Sequence, residues 1–395
     1  MEQYVSNVYL NEDEYTIFLR GEVNSVTAPE VEKEIMEAVK KKTFKKLVLN
    51  FAEVTYVSSA GLRIMLKLKK LFPNIAITDT SLAIYDVFQM TGFTNIMEVR
   101  KALTKVNVVG CEVIGEGYYS IVYRLDKDTI VKAYKRETDI KNVERELNLA
   151  KEAFILGIPT AISYDVVKVG DKLGVRFEMI DSLSLRQLFL NEPSKFDQTL
   201  DKYVELLKKT NNTEALDPSL PKAKDSWRNK VTYWKDEVPE KTYKKIEKLI
   251  ESIPERDTFI HGDSHFKNIM VQNGELLFID METLSVGDPI FELSTGIYMP
   301  YIAFEEDDPG NNENFLGASK DITWRIAFGL IERYLGRKDD RDVEKIRIVS
   351  LIHFLWWVKM NQPNNRARMD RIKERLLPLL EKYDSLDLGL KVIPQ

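Results

Sequence analysis

The fold is decided by the stretch His261–Val271, HGDSHFKNIMV, and by Leu276–Glu282, LLFIDME, which follows it closely. These segments carry three polar residues at a fixed spacing, Asp263, Asn268 and Asp280. Asn268 and Asp280 each stand beside an apolar, strand-like run, so a hairpin would bring them together at the mouth of a cleft. Two oxygen ligands at one place suit Mg²⁺. Asp263 would then be left to orient an acceptor hydroxyl and take its proton.

This pattern resembles the His-Gly-Asp-x-x-x-x-Asn motif, with its following aspartate, of the aminoglycoside phosphotransferases. That family shares its two-lobed fold with protein kinases. The resemblance spans roughly Val108 to Pro289. It implies ATP and Mg²⁺ as cofactors, Asn268 and Asp280 as metal ligands, and Asp263 as the catalytic residue.

The residues before this motif fit the nucleotide-binding lobe of the same fold. Gly115, Glu116 and Gly117 lie between strand-like segments, and such glycines let a backbone approach phosphates closely, although ordinary hairpins use them too. In the kinase interpretation these residues cover the phosphates. Lys132, inside an apolar strand, then binds the α- and β-phosphates. A helix glutamate should pair with this lysine, and Glu146 matches the family's partner position, with Glu144 as the fallback.

Two further nucleotide contacts follow from the resemblance. Ser120 is expected to add a hydroxyl contact to the phosphates. The segment Arg176–Asp181 is predicted to be the hinge between the lobes, where the backbones of Glu178 and Ile180 meet the adenine edge. We therefore predict an α+β kinase-like domain with an N-lobe at residues 107–182. The C-lobe, residues 183–395, should include a helical substrate-binding region.

The first hundred residues alternate strand and helix signals, which predicts an α/β layer. The segment Val54–Arg63, VTYVSSAGLR, resembles the STAS domain of bacterial anti-sigma factor antagonists. We assign this domain to residues 1–103. The resemblance implies that Ser59 is phosphorylated by a partner kinase, and a phosphate at a helix N-terminus would meet free N–H groups. The simpler alternative is that Ser59 only caps the helix.

Composition limits the remaining classes of function. The net charge of −5 does not suggest a nucleic-acid-binding protein. No apolar run approaches the ~20 residues of a membrane-spanning helix, and the start of the chain does not resemble a secretory signal. The single cysteine, Cys111, cannot form an internal disulfide. We therefore expect a cytoplasmic protein with no membrane or nucleic-acid partner.

Two kinds of function remain open. The first is an ATP-dependent phosphotransferase that acts on a hydroxyl of an aminoglycoside, amino sugar or amino alcohol and is regulated by, or coupled to, the STAS module. That module could also present a surface to a regulatory protein. The second is a partner-switching protein whose kinase-like half senses nucleotide or phosphorylates a STAS serine. The acidic run Glu305–Asn312 would suit a polycationic acceptor, unless it is simply solvated.

Overall fold

The computed structural model of the chain describes residues 3–11, 13–117, 119–180, 182–217, 220–383 and 387–390. Tyr118 in the predicted glycine-rich loop and Asp181 in the predicted hinge therefore lie outside the described residues. The chain divides into two units, Met1–Asn107 and Val108–Gln395.

The first unit is an α/β layer around a five-stranded sheet. Strands β2 to β5 are parallel, and β1 joins the edge of the sheet antiparallel to β2. The strands are β1 (Val5–Asn11), β2 (Glu14–Val23), β3 (Lys46–Val57), β4 (Ile75–Thr80) and β5 (Glu98–Lys101), and the short β6 (Thr104–Val106) follows them. The helices are α1 (Ala28–Val39), α2 (Ser59–Leu71) and α3 (Leu82–Met90). Their apolar faces and the strands enclose one core, which includes Phe51, Met65 and Phe88.

The second unit begins with an antiparallel sheet and one helix. Strands β7 to β11 lie in the order β10-β11-β9-β8-β7, so β9 is central. Helix α4 contacts β10 and β11. The elements are β7 (Glu112–Glu116), β8 (Ser120–Arg124), β9 (Thr129–Tyr134), α4 (Ile140–Ile155), β10 (Ser163–Val169) and β11 (Lys172–Glu178).

The rest of the second unit is mainly helical and contains two short antiparallel strand pairs, β12 with β15 and β13 with β14. The second pair is a hairpin. The strands are β12 (Phe259–Ile260), β13 (Ile269–Gln272), β14 (Glu275–Phe278) and β15 (Ser285–Val286). The helices are α5 (Leu185–Asn191), α6 (Phe196–Asn212), α7 (Ala223–Thr232), α8 (Glu240–Glu251), α9 (Pro289–Glu292), α10 (Phe304–Asp307), α11 (Lys320–Leu335), α12 (Asp340–Asn361) and α13 (Arg366–Lys382). Residues Leu293–Ala303 and Asn312–Leu316 are π-helical.

This architecture is the predicted fold class, an α/β unit followed by a two-lobed unit with a helical C-terminal region. A large core of buried side chains, among them Trp234, Tyr301 and Phe354, holds the helical lobe together. Within the described part of the chain, the search for helices that are long and apolar enough to cross a membrane found none.

Gly61 in α2 illustrates how tightly the first unit is packed. A Cβ atom at this position would lie 2.5 Å from the carbonyl oxygen of Val23 and 3.0 Å from Cγ1 of Val57. The carbonyl is backbone and cannot rotate away, so a larger residue must displace α2 from the ends of β2 and β3.

We expect Gly61→Ala to destabilise the first unit by about 1–3 kcal/mol, because overpacking outweighs the better helix propensity of alanine. The measurement is hydrogen exchange of peptides from residues 46–71 in the full-length chain. Ser59→Ala, at an exposed position in the same turn, is the control and should change stability by less than about 0.5 kcal/mol. Equal or greater protection in Gly61→Ala would contradict the packing argument.

Candidate active site

The β13–β14 hairpin brings the predicted metal ligands to one end of the same two strands. Asn268 directly precedes β13, Asp280 lies just beyond β14, and Ile279 N–H donates to the Asn268 carbonyl at 2.9 Å. Asp280 has φ 61°, in the left-handed region that most residues avoid. The hairpin predicted from the sequence is therefore present.

Lys132 on β9 lies at the centre of a cluster of carboxylates. Its Nζ is 2.8 Å from Oε1 of Glu146, 2.9 Å from Oδ1 of Asp280 and 3.8 Å from Oε2 of Glu282. The hydroxyl of Tyr134 donates to the other oxygen of Glu146. The structure thus pairs Lys132 with Glu146, the favoured partner, and joins β9 to α4 and to the end of β14.

In this cluster, the positive charge of Lys132 and the negative charge of Asp280 each favour the ionised form of the other. Burial disfavours a charged lysine, yet the carboxylates of Asp280 and Glu146 raise the pKa of Lys132 above its usual value. Loss of solvation would raise the pKa of Asp280, but the ammonium of Lys132 holds it below the usual range. For Glu282, burial prevails over the attraction of Lys132 and raises the pKa. Lys132 and Asp280 are therefore both charged near neutral pH.

A cation could be held by oxygen atoms at the same place. One carboxylate oxygen each from Glu146, Asp280 and Glu282 lie within 4.8 Å of one another. The amide nitrogen of Asn268 donates to Asp263, so the amide oxygen is the atom with which this predicted ligand would bind a cation. Such an all-oxygen donor set fits Mg²⁺. Sequence reasoning missed Glu282, although its position two residues after Asp280 was a signal that could have identified it.

Asp263 is positioned by the side chain of Asn268. The Nδ2 group of Asn268 donates to the Asp263 carbonyl and to Oδ2 of Asp263, both at 2.9 Å. The other carboxylate oxygen, Oδ1, lies 3.5 Å from Nε2 of His265. The side chain of Asp263 keeps 44% of its exposure, so one oxygen is fixed while the carboxylate stays open to the cleft.

A buried glutamate that the sequence analysis missed holds the loop His261–Asn268, which carries the predicted catalytic residue. Glu292, at the end of α9, accepts the N–H groups of His261 and Gly262 and the hydroxyl of Ser264. Gly262 has φ 82°, a conformation that glycine adopts without strain. Glu292 is fully buried, and it follows the loop by about thirty residues, so no local pattern revealed this contact.

The two histidines of the loop are uncharged near neutral pH. Burial lowers the pKa of His261, whose ring bonds to the Ile279 carbonyl at 3.2 Å. Burial also lowers the pKa of His265 to about 4, and the ammonium of Lys267 adds to the effect. In contrast, partial removal from water raises the pKa of Asp263 to about 8, and the negative charge of Asp280 contributes.

The predicted phosphate-covering residues lie around the β7–β8 turn, next to the central strand that carries Lys132. Gly117 N–H donates to the Ser120 carbonyl at 2.9 Å, which closes this turn. Glu116 forms an ion pair with Lys135 at 2.7 Å. Ser120 is buried. Contact of Gly115, Glu116, Gly117 and Ser120 with a nucleotide stays a prediction.

In the predicted hinge segment, one of the backbone groups expected to meet adenine is already hydrogen-bonded within the protein. The N–H of Glu178 donates to the Ile162 carbonyl at 2.9 Å, and its carboxylate accepts the Ile162 N–H at 2.7 Å. The N–H of Glu178 is therefore not available to an adenine edge, and contact of the backbones of Glu178 and Ile180 with adenine stays a prediction. The side chain of Ile180 packs with Ala161 and Leu277. Ala161 and Leu277, which the sequence analysis did not single out, form a small apolar cluster with Ile180.

The acidic run Glu305–Asn312 is used inside the lobe. Glu305 is buried and accepts the N–H groups of Gly310 and Asn312 at 2.9 and 2.8 Å. Asp307 is buried and binds Arg368 and Arg371 at 2.6 and 2.9 Å, and Glu306 pairs with Arg347 and Arg375. Neither interpretation of this run was right: most of its carboxylates are neither solvated nor open to a polycationic ligand.

In the first unit, the cap of helix α2 is Ser58 and not Ser59, the residue that the simpler prediction named. Ser58 is the N-cap of α2, and its hydroxyl accepts the N–H groups of Ala60 and Gly61 at 3.1 and 3.5 Å. Ser59 is the first helical residue and is exposed. The interpretation of Ser59 as the helix cap is therefore wrong, because Ser58 has the extended backbone conformation that a cap requires.

Two family models match the chain. The STAS domain matches residues 6–106, and the phosphotransferase enzyme family matches residues 110–326, more than half of the chain. The chain belongs to the phosphotransferase enzyme family. This phosphotransferase also carries a STAS domain, and both predictions of family are thus confirmed.

Individual proteins similar to this phosphotransferase cover one or other part of it. The anti-sigma-B factor antagonist of Listeria monocytogenes is 28% identical over 99 residues, which cover 24% of this chain and 86% of that protein. The structure of a choline/ethanolamine kinase family protein from Mesorhizobium loti is 14% identical, with a TM-score of 0.46, and covers 69% of this chain and 88% of its own. The streptomycin–ATP ternary complex of APH(2″)-IIa is 16% identical, with a TM-score of 0.45, and covers 76% and 96%.

The raised pKa of Asp263 predicts a pH dependence for this phosphotransferase. A general base must be ionised, so kcat/KM should rise with pH through about 8 and level off above it. His265, with its pKa at about 4, does not titrate in this window. The measurement is a pH–rate profile. The control is Asp308→Asn, which removes an exposed carboxylate and should show the same rise of kcat/KM with pH as the wild type. A rate independent of pH between about 6 and 9 would contradict the assignment of Asp263.

Proposed function

We propose that the second unit transfers the γ-phosphate of ATP to a hydroxyl group of a small molecule, with Mg²⁺ as the metal cofactor. The observation that carries this proposal is the convergence of a lysine, several carboxylates and an asparagine in one cleft. Lys132 contacts Glu146 and Asp280, and Asn268 positions Asp263 beside them. Phosphoryl transfer needs mainly positioning and charge neutralisation, and this arrangement can supply both.

Each side chain has a distinct part in the proposed reaction. Lys132, held by Glu146, neutralises the α- and β-phosphates. Asn268, Asp280 and Glu282 would hold Mg²⁺, which would supply positive charge to offset that of the phosphates. Asp263 orients the acceptor hydroxyl and receives its proton. The acceptor oxygen forms the new bond to phosphorus, the bond to the bridging oxygen of ATP breaks, and ADP leaves.

The identity of the acceptor stays a prediction. The sequence favoured an aminoglycoside, an amino sugar or an amino alcohol. Regulation by the STAS domain, or coupling to it, is likewise part of the proposal. The presence of both domains in one chain supports it.

We expect Asp263→Asn to lower Mg²⁺-dependent transfer from labelled ATP, to water or to an acceptor, by about 10²–10⁴-fold, because the general base is lost. Asp280→Asn should also abolish the response to Mg²⁺, because it removes a metal ligand. Asp308→Asn removes an exposed carboxylate elsewhere in the lobe and should retain the wild-type rate. Wild-type activity that survives Asp263→Asn unchanged would refute the proposed role.

A second function is favoured by the geometry of the first unit. Ser59 is exposed at the first turn of α2, and the neighbouring Ser58 already satisfies two of the N–H groups there. A phosphate on Ser59 would add about two negative charges close to a helix N-terminus. This position supports a regulated phosphosite, and hence a partner-switching role in which a regulatory protein recognises the STAS surface.

We expect the full-length chain, incubated with ATP and Mg²⁺, to gain a phosphate that intact-mass analysis detects and that Ser59→Ala prevents. Tethering places this serine at an effective concentration in about the millimolar range if the linker allows contact. Ser58→Ala is the matched control and should still gain the phosphate. If Ser59→Ala gains as much phosphate as the wild type, or if the wild type gains none, autophosphorylation of Ser59 is excluded.

A further inference from the structure

Two cationic side chains meet one turn beside the catalytic loop. Lys267 lies in that loop, between Asp263 and Asn268. Its Nζ donates to the Phe315 carbonyl at 3.0 Å and lies 5.0 Å from the centre of the Phe315 ring. Arg186 on α5 donates through Nη1 to the Gly317 carbonyl at 3.1 Å. The two cations therefore converge on residues 315–317.

The ring of His265 links this turn to the carboxylate of Asp263. Oδ2 of Asp263 is engaged by Asn268, whereas Oδ1 faces the imidazole of His265. The ring of His265 meets the ring of Phe315 edge to face, with 5.4 Å between the centres. Through His265, the carboxylate oxygen that can take a hydroxyl proton thus lies next to the turn whose carbonyls Lys267 and Arg186 bind.

Neither cation is neutralised within the part of the chain that the structure describes. No carboxylate there lies within ion-pair distance of Lys267 or Arg186, although Glu313 is exposed on the neighbouring π-helical turn. A bond to a carbonyl leaves the full positive charge and further N–H donors on each side chain.

The acidic run Glu305–Asn312 offers few free carboxylates to a cationic acceptor. The carboxylates of Glu305, Glu306 and Asp307 already bind backbone amides or arginines. A cationic group beside Lys267 and Arg186 would be repelled, whereas an oxyanion would offset their mutual repulsion and use their remaining donors.

We infer that Lys267 and Arg186 form an oxyanion subsite for the phosphate acceptor. The acceptor then carries a phosphate ester or a carboxylate in addition to the hydroxyl that Asp263 orients. This inference rests on the proposed function and replaces a purely cationic acceptor with an anionic or zwitterionic one.

The test is titration calorimetry of inorganic phosphate into the full-length chain saturated with Mg²⁺ and a non-hydrolysable ATP analogue. The analogue fills all three nucleotide phosphate positions, so any further phosphate must bind elsewhere. We expect saturable binding that Lys267→Gln and Arg186→Gln each weaken by about tenfold or more. Lys267→Arg keeps the charge and should retain binding. Lys241→Gln removes an exposed lysine from α8 and should have no effect.

Acetate, titrated in the same way, distinguishes a carboxylate from a phosphate ester. The anion that binds more tightly indicates which of these two groups the acceptor carries. No binding of either anion, or binding that neither Lys267→Gln nor Arg186→Gln weakens, overturns the inference. Phosphate that binds the Mg²⁺–ADP complex but not the complex with the ATP analogue also overturns it, because the cations would then face the transferring phosphate. Failure to bind the ATP analogue at all would contradict the proposed function itself.

Discussion

The contact of Lys132 with Glu146 and Asp280 is the interaction on which the kinase-like unit depends. It joins the central strand β9 to helix α4 and to the end of the β13–β14 hairpin. Buried ion pairs stabilise folds weakly, since desolvation offsets much of the attraction. In the proposed function, the value of this contact is that it fixes an ammonium beside carboxylates, so that both signs of charge are available to a metal–nucleotide complex. Asp263 is held in turn by Asn268.

Much of this site could be predicted from the sequence because its parts are local. Asn268 and Asp280 flank two adjacent strands, so the hairpin alone brings them together. Lys132 lies in an apolar strand and Glu146 on the buried face of the next helix, which limited the possible partners. The alternation of strands and helices in the first unit likewise predicted its α/β layer.

Other features could not be predicted, because they depend on long-range contacts or on backbone geometry. Glu292 holds the loop His261–Asn268 from a helix about thirty residues away. The acidic run Glu305–Asn312 turned inward because arginines from α12 and α13 reach it. The choice between Ser58 and Ser59 as helix cap depended on which residue adopts an extended backbone, and residue type alone does not distinguish two adjacent serines.

The proposed function requires that the residues around Lys132 bind ATP as its complex with Mg²⁺. Titration calorimetry of ATP into the full-length chain, with Mg²⁺ and with a chelator in its place, measures that binding. We expect saturable binding of one nucleotide per chain that weakens markedly without Mg²⁺ and in Lys132→Gln. Absence of binding, or binding of equal strength in Lys132→Gln and in the wild type, would contradict it.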